Sequence, residues 1–277
     1  MPNYLFALGL SILLVIHSRR KKSLSPNGAA GAFILGMATF TSTYAYFTVV
    51  LLTFFLASSK LTKFKAERKR LLEADYDHSS ERTLIQVACN GLTGGIIAAL
   101  FQVLYEGNLS CFDQDRNSLI LFWAYMGHYG CCAGDTWASE LGILNRSWPI
   151  SIIRFKKVPP GTNGGVSPLG LAASIAGGAA VGLAGAITLW IQQPCHGTPW
   201  DIVLLGALAG LGGSLIDSIL GATVQRTLYS EKQKMVVEDE KDASVISGLN
   251  ILDNHQVNFV SSVLTSAICG AAAYYMH

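Results

Sequence analysis

Asp135 and Ser139 are four residues apart, so any helix that carries them puts both on one face. Glu140 is five residues from Asp135 and would point about 140° away on the same helix. All three belong to Gly134-Asp135-Thr136-Trp137-Ala138-Ser139-Glu140-Leu141-Gly142, which directly follows an apolar run. A carboxylate beside hydroxyls at the edge of an apolar segment suits Mg²⁺, which takes one or two carboxylates, substrate phosphates and several waters. The structural alternative is an N-cap, in which Asp135 accepts from its own backbone.

A second polar block, Val158-Pro159-Pro160-Gly161-Thr162-Asn163-Gly164-Gly165-Val166-Ser167, directly precedes the next apolar run. Lys156 and Lys157 offer cations beside it. Gly161, Gly164 and Gly165 allow backbone N–H groups to approach an anion closely. Thr162, Asn163 and Ser167 add side-chain donors, and Ser167-Pro168 opens a helix at its positive end. The order Gly-x-x-x-x-Gly-Lys-Ser/Thr is absent, so this is no Walker loop. A plain glycine-proline turn is the alternative reading.

Two further clusters add acids and amides. Asp217 lies inside an uncharged run, with Ser214 three residues before it and Gly221 four after. A charge within a membrane span is a functional candidate by default; a buried hydrogen-bonded strut is its rival. Asp253, Asn254 and Asn258 open the last apolar run, and Gln86 and Asn90 open an earlier one. Helix capping competes for Asn254. Carboxylates for a cation, with lysines and glycines for phosphates, describe phosphoryl or nucleotidyl transfer, which is mostly positioning and charge neutralisation. The six histidines are scattered, with no Ser-His-Asp set and no zinc spacing. His128, within a span, is expected to be a packed polar residue. No Cys-x-x-Cys pair occurs, Cys131 and Cys132 read as small packing residues, and no disulfide framework is implied.

The elements that hold these residues are apolar. The chain has 277 residues, 51% hydrophobic and 14% charged, against about 25% charged for a soluble domain. Runs near 2–18, 84–105, 118–133, 168–191, 201–225 and 256–276 are long enough to span a bilayer. The first lacks a positive n-region and a cleavage site, so a retained helix is expected. The uncharged stretch 28–59 would measure on the order of 48 Å as one helix, against ~30 Å of hydrocarbon. Breaking it at Thr41-Ser42-Thr43 gives spans near 28–41 and 44–59, eight in all. With eight crossings, 19 of 20 Lys and Arg residues fall on one face, leaving only Arg116 on the other. Basic loops mark the cytoplasmic side. One all-α polytopic membrane bundle follows, occupying 1–277, with its polar site facing the cytoplasm. The loop 60–83 reads either as a surface-lying amphipathic helix or as a solvated basic loop, and 226–255 as polar and partly flexible. The sequon Asn108-Leu109-Ser110 falls in the expected external loop. Without aromatic platforms beside the basic clusters, nucleic acid is not an expected partner.

With these residues in hand, the chain resembles the transmembrane protein 19 family, an integral membrane family that includes the plant phytyl-phosphate kinase of vitamin E synthesis. The blocks that carry the likeness are Ser58-Ser59-Lys60-Leu61-Thr62-Lys63, Gly134-Asp135-Thr136-Trp137-Ala138-Ser139-Glu140, Gly161-Thr162-Asn163-Gly164-Gly165, Asp217-Ser218 with Leu220-Gly221-Ala222-Thr223, and Ile251-Leu252-Asp253-Asn254 with Val257-Asn258. The resemblance implies phosphate transfer from a nucleotide, CTP, to a prenyl monophosphate. From the residue types themselves, Asp135 and Asp217 are expected to hold Mg²⁺, with Glu140 and Asp253 as further catalytic acids. Lys156, Lys157, Gly161, Thr162, Asn163, Gly164 and Gly165 are expected to take nucleotide phosphates, with Ser139, Asn254, Asn258 and Asn90 completing the floor. A phosphorylated lipid and the bilayer are the expected partners, an oligomer is allowed, and the endoplasmic reticulum is the expected membrane. Two other readings fit the same residues: a transporter or flippase of a lipid phosphate or small anion, and a non-catalytic adaptor whose polar clusters only cap and pack helices.

Overall fold

The computed structural model describes residues 3–67, 81–105, 111, 113, 115–192, 199–237 and 243–276. They contain eight long α-helices: α1 (Tyr4–Arg20), α2 (Pro26–Phe40), α3 (Ala45–Thr62), α4 (Leu84–Tyr105), α5 (Arg116–Gly142), α6 (Pro168–Gln192), α7 (Trp200–Val224) and α8 (Asn254–Met276). Five of them, α3, α4, α6, α7 and α8, are long and apolar enough to cross a membrane. The break expected inside 28–59 is present, with α2 ending at Phe40 and α3 starting at Ala45. The sequon at 108–110 and most of the basic loop, 68–80, lie outside the described residues.

Helix starts follow local chemistry. Ser25 caps α2, its Oγ accepting from Gly28 N at 3.1 Å ahead of Pro26 at the first helical position. Asp115 Oδ2 accepts from Ser118 N at 2.9 Å and starts α5. Asp253 and Gln256 form a reciprocal box: Gln256 N donates to Asp253 Oδ1 at 2.8 Å, and Asp253 N donates to Gln256 Oε1 at 2.9 Å. Thr83 and Gln86 repeat that box at α4, with 2.8 Å from Thr83 N to Gln86 Oε1.

Two expectations change. Residues 134–142, beyond the expected span near 118–133, continue α5 as helix. Nothing in Thr136–Leu141 breaks a helix; the polarity that suggested a loop marks a face, not an end. The segment 226–255, expected as polar loop, contains strands β3 (Thr227–Ser230), β4 (Met235–Val237) and β5 (Ser244–Ser247) in the antiparallel order β4-β3-β5. A further short pair, β1 (Ile150–Ser151) and β2 (Gly165–Val166), joins the two ends of the glycine loop region. The chain leaving β5 satisfies the end of α7: Leu249 N donates to Thr223 O at 2.9 Å, and Ile251 N to Val224 O at 3.0 Å.

The bundle has two unlike ends. Where α3 and α5 begin and α4 finishes, aromatic rings fill the interior. Tyr46 and Phe122 have centroids 4.7 Å apart, Phe47 and Phe101 4.9 Å, and Tyr125 and Tyr129 4.8 Å. Two of the hydroxyls find carbonyls: Tyr46 donates to Phe122 O at 3.0 Å and Tyr125 to Phe47 O at 2.6 Å. Toward the other end, α5, α6 and α7 touch through glycines. A Cβ on Gly134 would overlap the Gly210 carbonyl oxygen, and one on Gly178 would overlap the Gly206 carbonyl oxygen. With no side-chain layer between them, the backbones approach closely. That contact sets Asp135, the next residue on α5, close to α7 two turns before Asp217.

Candidate functional site

The ends of α5 and α7 and the starts of α4, α6 and α8 enclose a cavity of about 410 Å³, opposite the aromatic end. Asp135 and Glu140 reach it from α5 and Asp217 from α7. Asn254 and Asn258 come from α8, Asn90 from α4, and Gly161 through Gly165 from the loop. Segments far apart in the chain therefore supply one polar chamber.

The two aspartates are held differently. Asp217 is tied to α8: Ser261 Oγ donates to its Oδ2 at 2.9 Å. The Asn258 amide nitrogen, turned toward it, donates to the same oxygen at 3.2 Å and to Asn254 O at 3.0 Å. Asp135 lies inside α5 and is no N-cap. It makes no hydrogen bond or ion pair among the described residues, and its strongest charged neighbour is the like-charged Asp217. Two half-buried carboxylates that repel one another across a chamber are hard oxygen donors that could take a cation. Among the described residues no group of three or more His, Cys, Asp or Glu side chains converges as a metal cage. The pair fits Mg²⁺, which completes its octahedron with phosphates and water, better than a metal that needs a full set of protein ligands.

The glycine loop is built as two tight turns. Thr162 Oγ1 donates to Pro159 O at 2.7 Å, and Gly165 N donates to Thr162 O at 2.9 Å. Asn163 N donates to Thr227 Oγ1 at 3.2 Å and its amide nitrogen to Arg226 O at 3.4 Å, tying the loop to β3. Gly164 has φ +75° and presses on α7, where a Cβ would overlap Ala222 and sit 2.6 Å from Ser218 O. The amides of Thr162, Asn163 and Gly165 are thus already bonded, which leaves those of Gly161 and Gly164 without a protein acceptor among the described residues.

Three expected site residues are not brought into the chamber. Lys156 and Lys157 are exposed and absent from its lining, on a turn that also exposes Ile153 and, at 81%, Phe155. The short bridge of Lys157 to Ile150 turns that hairpin away. Asp253 is the N-cap of α8 rather than a wall residue, because its carboxylate answers the helix's first amides. Ser139 does line the chamber, with its Oγ donating to Thr136 O at 3.0 Å. His128 is buried against the Asn90 carbonyl, 3.1 Å from Nε2, as a packed polar residue.

Arg82 was missed. It lines the chamber one residue before the Thr83–Gln86 box. In the sequence it closes a loop crowded with basic residues and reads only as a topology marker. The Thr83-x-x-Gln86 capping pattern, which fixes the residue before it at a helix mouth, was the available signal.

Fold and chamber together define a polytopic helical membrane protein with a one-sided polar cavity. The chain belongs to the integral membrane protein family DUF92, matched over residues 9–266. It is 39% identical over 282 residues to Protein PGR of Arabidopsis thaliana, covering 98% of this chain and 96% of that one. It is 26% identical over 277 residues to an uncharacterized membrane protein of Methanocaldococcus jannaschii, covering 98% and 95%. A membrane protein of Synechocystis is 25% identical over 205 residues, 74% of this chain and 73% of that one. No solved structure matches this one significantly.

Proposed function

We propose that the protein is a membrane-embedded, Mg²⁺-dependent phosphotransferase that extends a prenyl monophosphate to the diphosphate with CTP as donor. The carrying observation is the pairing of unpartnered Asp135 with Asp217 in one chamber at the bundle's polar end. The resemblance to a family containing a prenyl-phosphate kinase supplies the reaction class. A phosphate oxygen of the lipid attacks the γ-phosphorus, the bond from that phosphorus to the β-bridging oxygen breaks, and CDP leaves. Asp135 and Asp217 would hold Mg²⁺, whose charge offsets that of the donor phosphates during transfer. The chain's own part is positioning: Ser261 and Asn258 fix Asp217, and the amides of Gly161 and Gly164, with no acceptor among the described residues, would be free to donate to an anion.

The chamber is proposed to face the cytoplasm, in the endoplasmic reticulum membrane. The one-sided basic loops support that orientation. So does Cys111, which lies between α4 and α5 at the opposite end and, unlike the four free cysteines, is disulfide-bonded; such bonds persist on oxidising faces. The transporter reading would want the site at mid-membrane on broken helices, whereas α5 and α7 run unbroken through Asp135 and Asp217. Purified protein with CTP, Mg²⁺ and farnesyl monophosphate should form farnesyl diphosphate and CDP. Asp135→Asn should lower the rate by about 10³-fold or more, the scale of removing a principal electrostatic contact. Full activity in that variant would remove the assignment of the site.

A further inference from the structure

Among the described residues Arg82 is the one Arg or Lys in the chamber's lining, and its setting is unusually firm. Its backbone is clamped to the segment before α2: Arg82 N donates to Ser23 O at 3.0 Å, and Ser25 N donates to Arg82 O at 3.1 Å. Its guanidinium carbon lies 5.4 Å from the Phe54 ring centre and 5.7 Å from that of Phe55, both on α3. Yet the guanidinium donates no hydrogen bond and forms no ion pair among the described residues; Glu140, also in the lining, acts on it only at longer range. A planar fork of five N–H donors is matched to paired oxygens, those of a carboxylate or a phosphate; no carboxylate among the described residues pairs with it, which leaves a phosphate as the fitting ligand.

Position decides which phosphate. Arg82 sits two residues before α4, a candidate span, against the aromatic flank of α3, another candidate span. The glycine loop lies elsewhere on the chamber, tied to the polar segment that carries β3, and Gly161 faces Val236 of β4. That side adjoins the polar strand segment, which suits a nucleotide; the Arg82 side adjoins candidate membrane-crossing helices, which suit an isoprenoid tail.

We infer that Arg82 binds the monophosphate headgroup of the lipid acceptor, and that donor and acceptor phosphates enter the chamber from opposite walls. This rests on the phosphotransferase reading for the identity of the lipid, but binding can be measured without turnover. The test uses the full chain in detergent, as wild type, Arg82→Gln and Arg82→Lys, each checked for a monodisperse elution profile. Thermal unfolding is followed with farnesyl monophosphate, CTP or inorganic phosphate added singly, and KM is measured for both substrates. The expected result is a farnesyl monophosphate affinity weakened roughly 10- to 100-fold in Arg82→Gln, as for loss of charged hydrogen bonds. Lysine should restore only part, and the KM for CTP should stay within about twofold. An unchanged affinity for the lipid phosphate, or a loss confined to CTP, would overturn the assignment. Arg82-dependent lipid binding with no diphosphate formed would sink the transfer reading and leave this one standing. Transfer with unaltered lipid KM in Arg82→Gln would do the reverse.

Discussion

Asp135 and Asp217 carry the same charge into the same chamber but have different freedoms. Asp217 is braced by Ser261 and Asn258, whereas Asp135 has no brace among the described residues. Without metal their mutual repulsion is a cost, so Asp135→Asn is predicted to raise the melting temperature of metal-free protein. In the wild type, added Mg²⁺ should stabilise by about 2.7 kcal/mol at a hundred times Kd, and that gain should vanish in the variant. Calorimetry with and without EDTA reads both signs; an Mg²⁺ gain unchanged in Asp135→Asn would refute the pairing. Ser261→Ala removes one bond to Asp217, worth ~1 kcal/mol. It is predicted to lower kcat while leaving the KM for lipid nearly unchanged. Both aspartates were legible because a charge in or beside an apolar run stands out by its expense. Arg82 was not, since nothing about a cation in a cationic loop says which way it faces.

At the scale of elements, the glycine contacts among α5, α6 and α7 set the spacing of the aspartates. Gly134→Ala would drive a methyl group into the Gly210 backbone, which cannot yield as a side chain can. We predict a loss of about 1–3 kcal/mol, typical of overpacking, together with a drop in transfer although no group at the chamber has changed. Gly212 is the control: it lies on the same α7, near Asp217, with nothing within 4 Å of an added Cβ. Gly212→Ala should be neutral or stabilising by up to about 1 kcal/mol through helix propensity. Equal unfolding temperatures for the two alanine variants would contradict this account. The helices themselves were readable from their apolar runs, including the break at Thr41–Thr43. The last turns of α5 were not, because a polar helix face and a polar loop look alike in composition. The strands β3 to β5 escaped for a related reason: mixed charge over short segments hides a period of two.

For the molecule as a whole, the contrast between ends matters most. Asparagines, carboxylates and glycine amides gather at one end, and interlocked rings close the other. Cysteines introduced at Ser139 or Asn163 should react with a membrane-impermeant maleimide only from the basic-loop side in sealed vesicles. Labelling from the disulfide side would show that the orientation is reversed. Lysines and arginines alone set the expected orientation, but the ring cluster could not be foreseen, since its members come from three separate runs.

A chamber whose far end is closed by interlocked rings also sets a traffic rule. On the phosphotransferase reading, spent donor and finished lipid must back out along the routes by which their precursors came, and neither can be pushed through the far wall. Each product therefore lingers where the next molecule of its own kind must dock. Turnover should slow as diphosphate accumulates in the bilayer, in competition with fresh monophosphate, so that the rate follows how fast a downstream consumer clears the membrane.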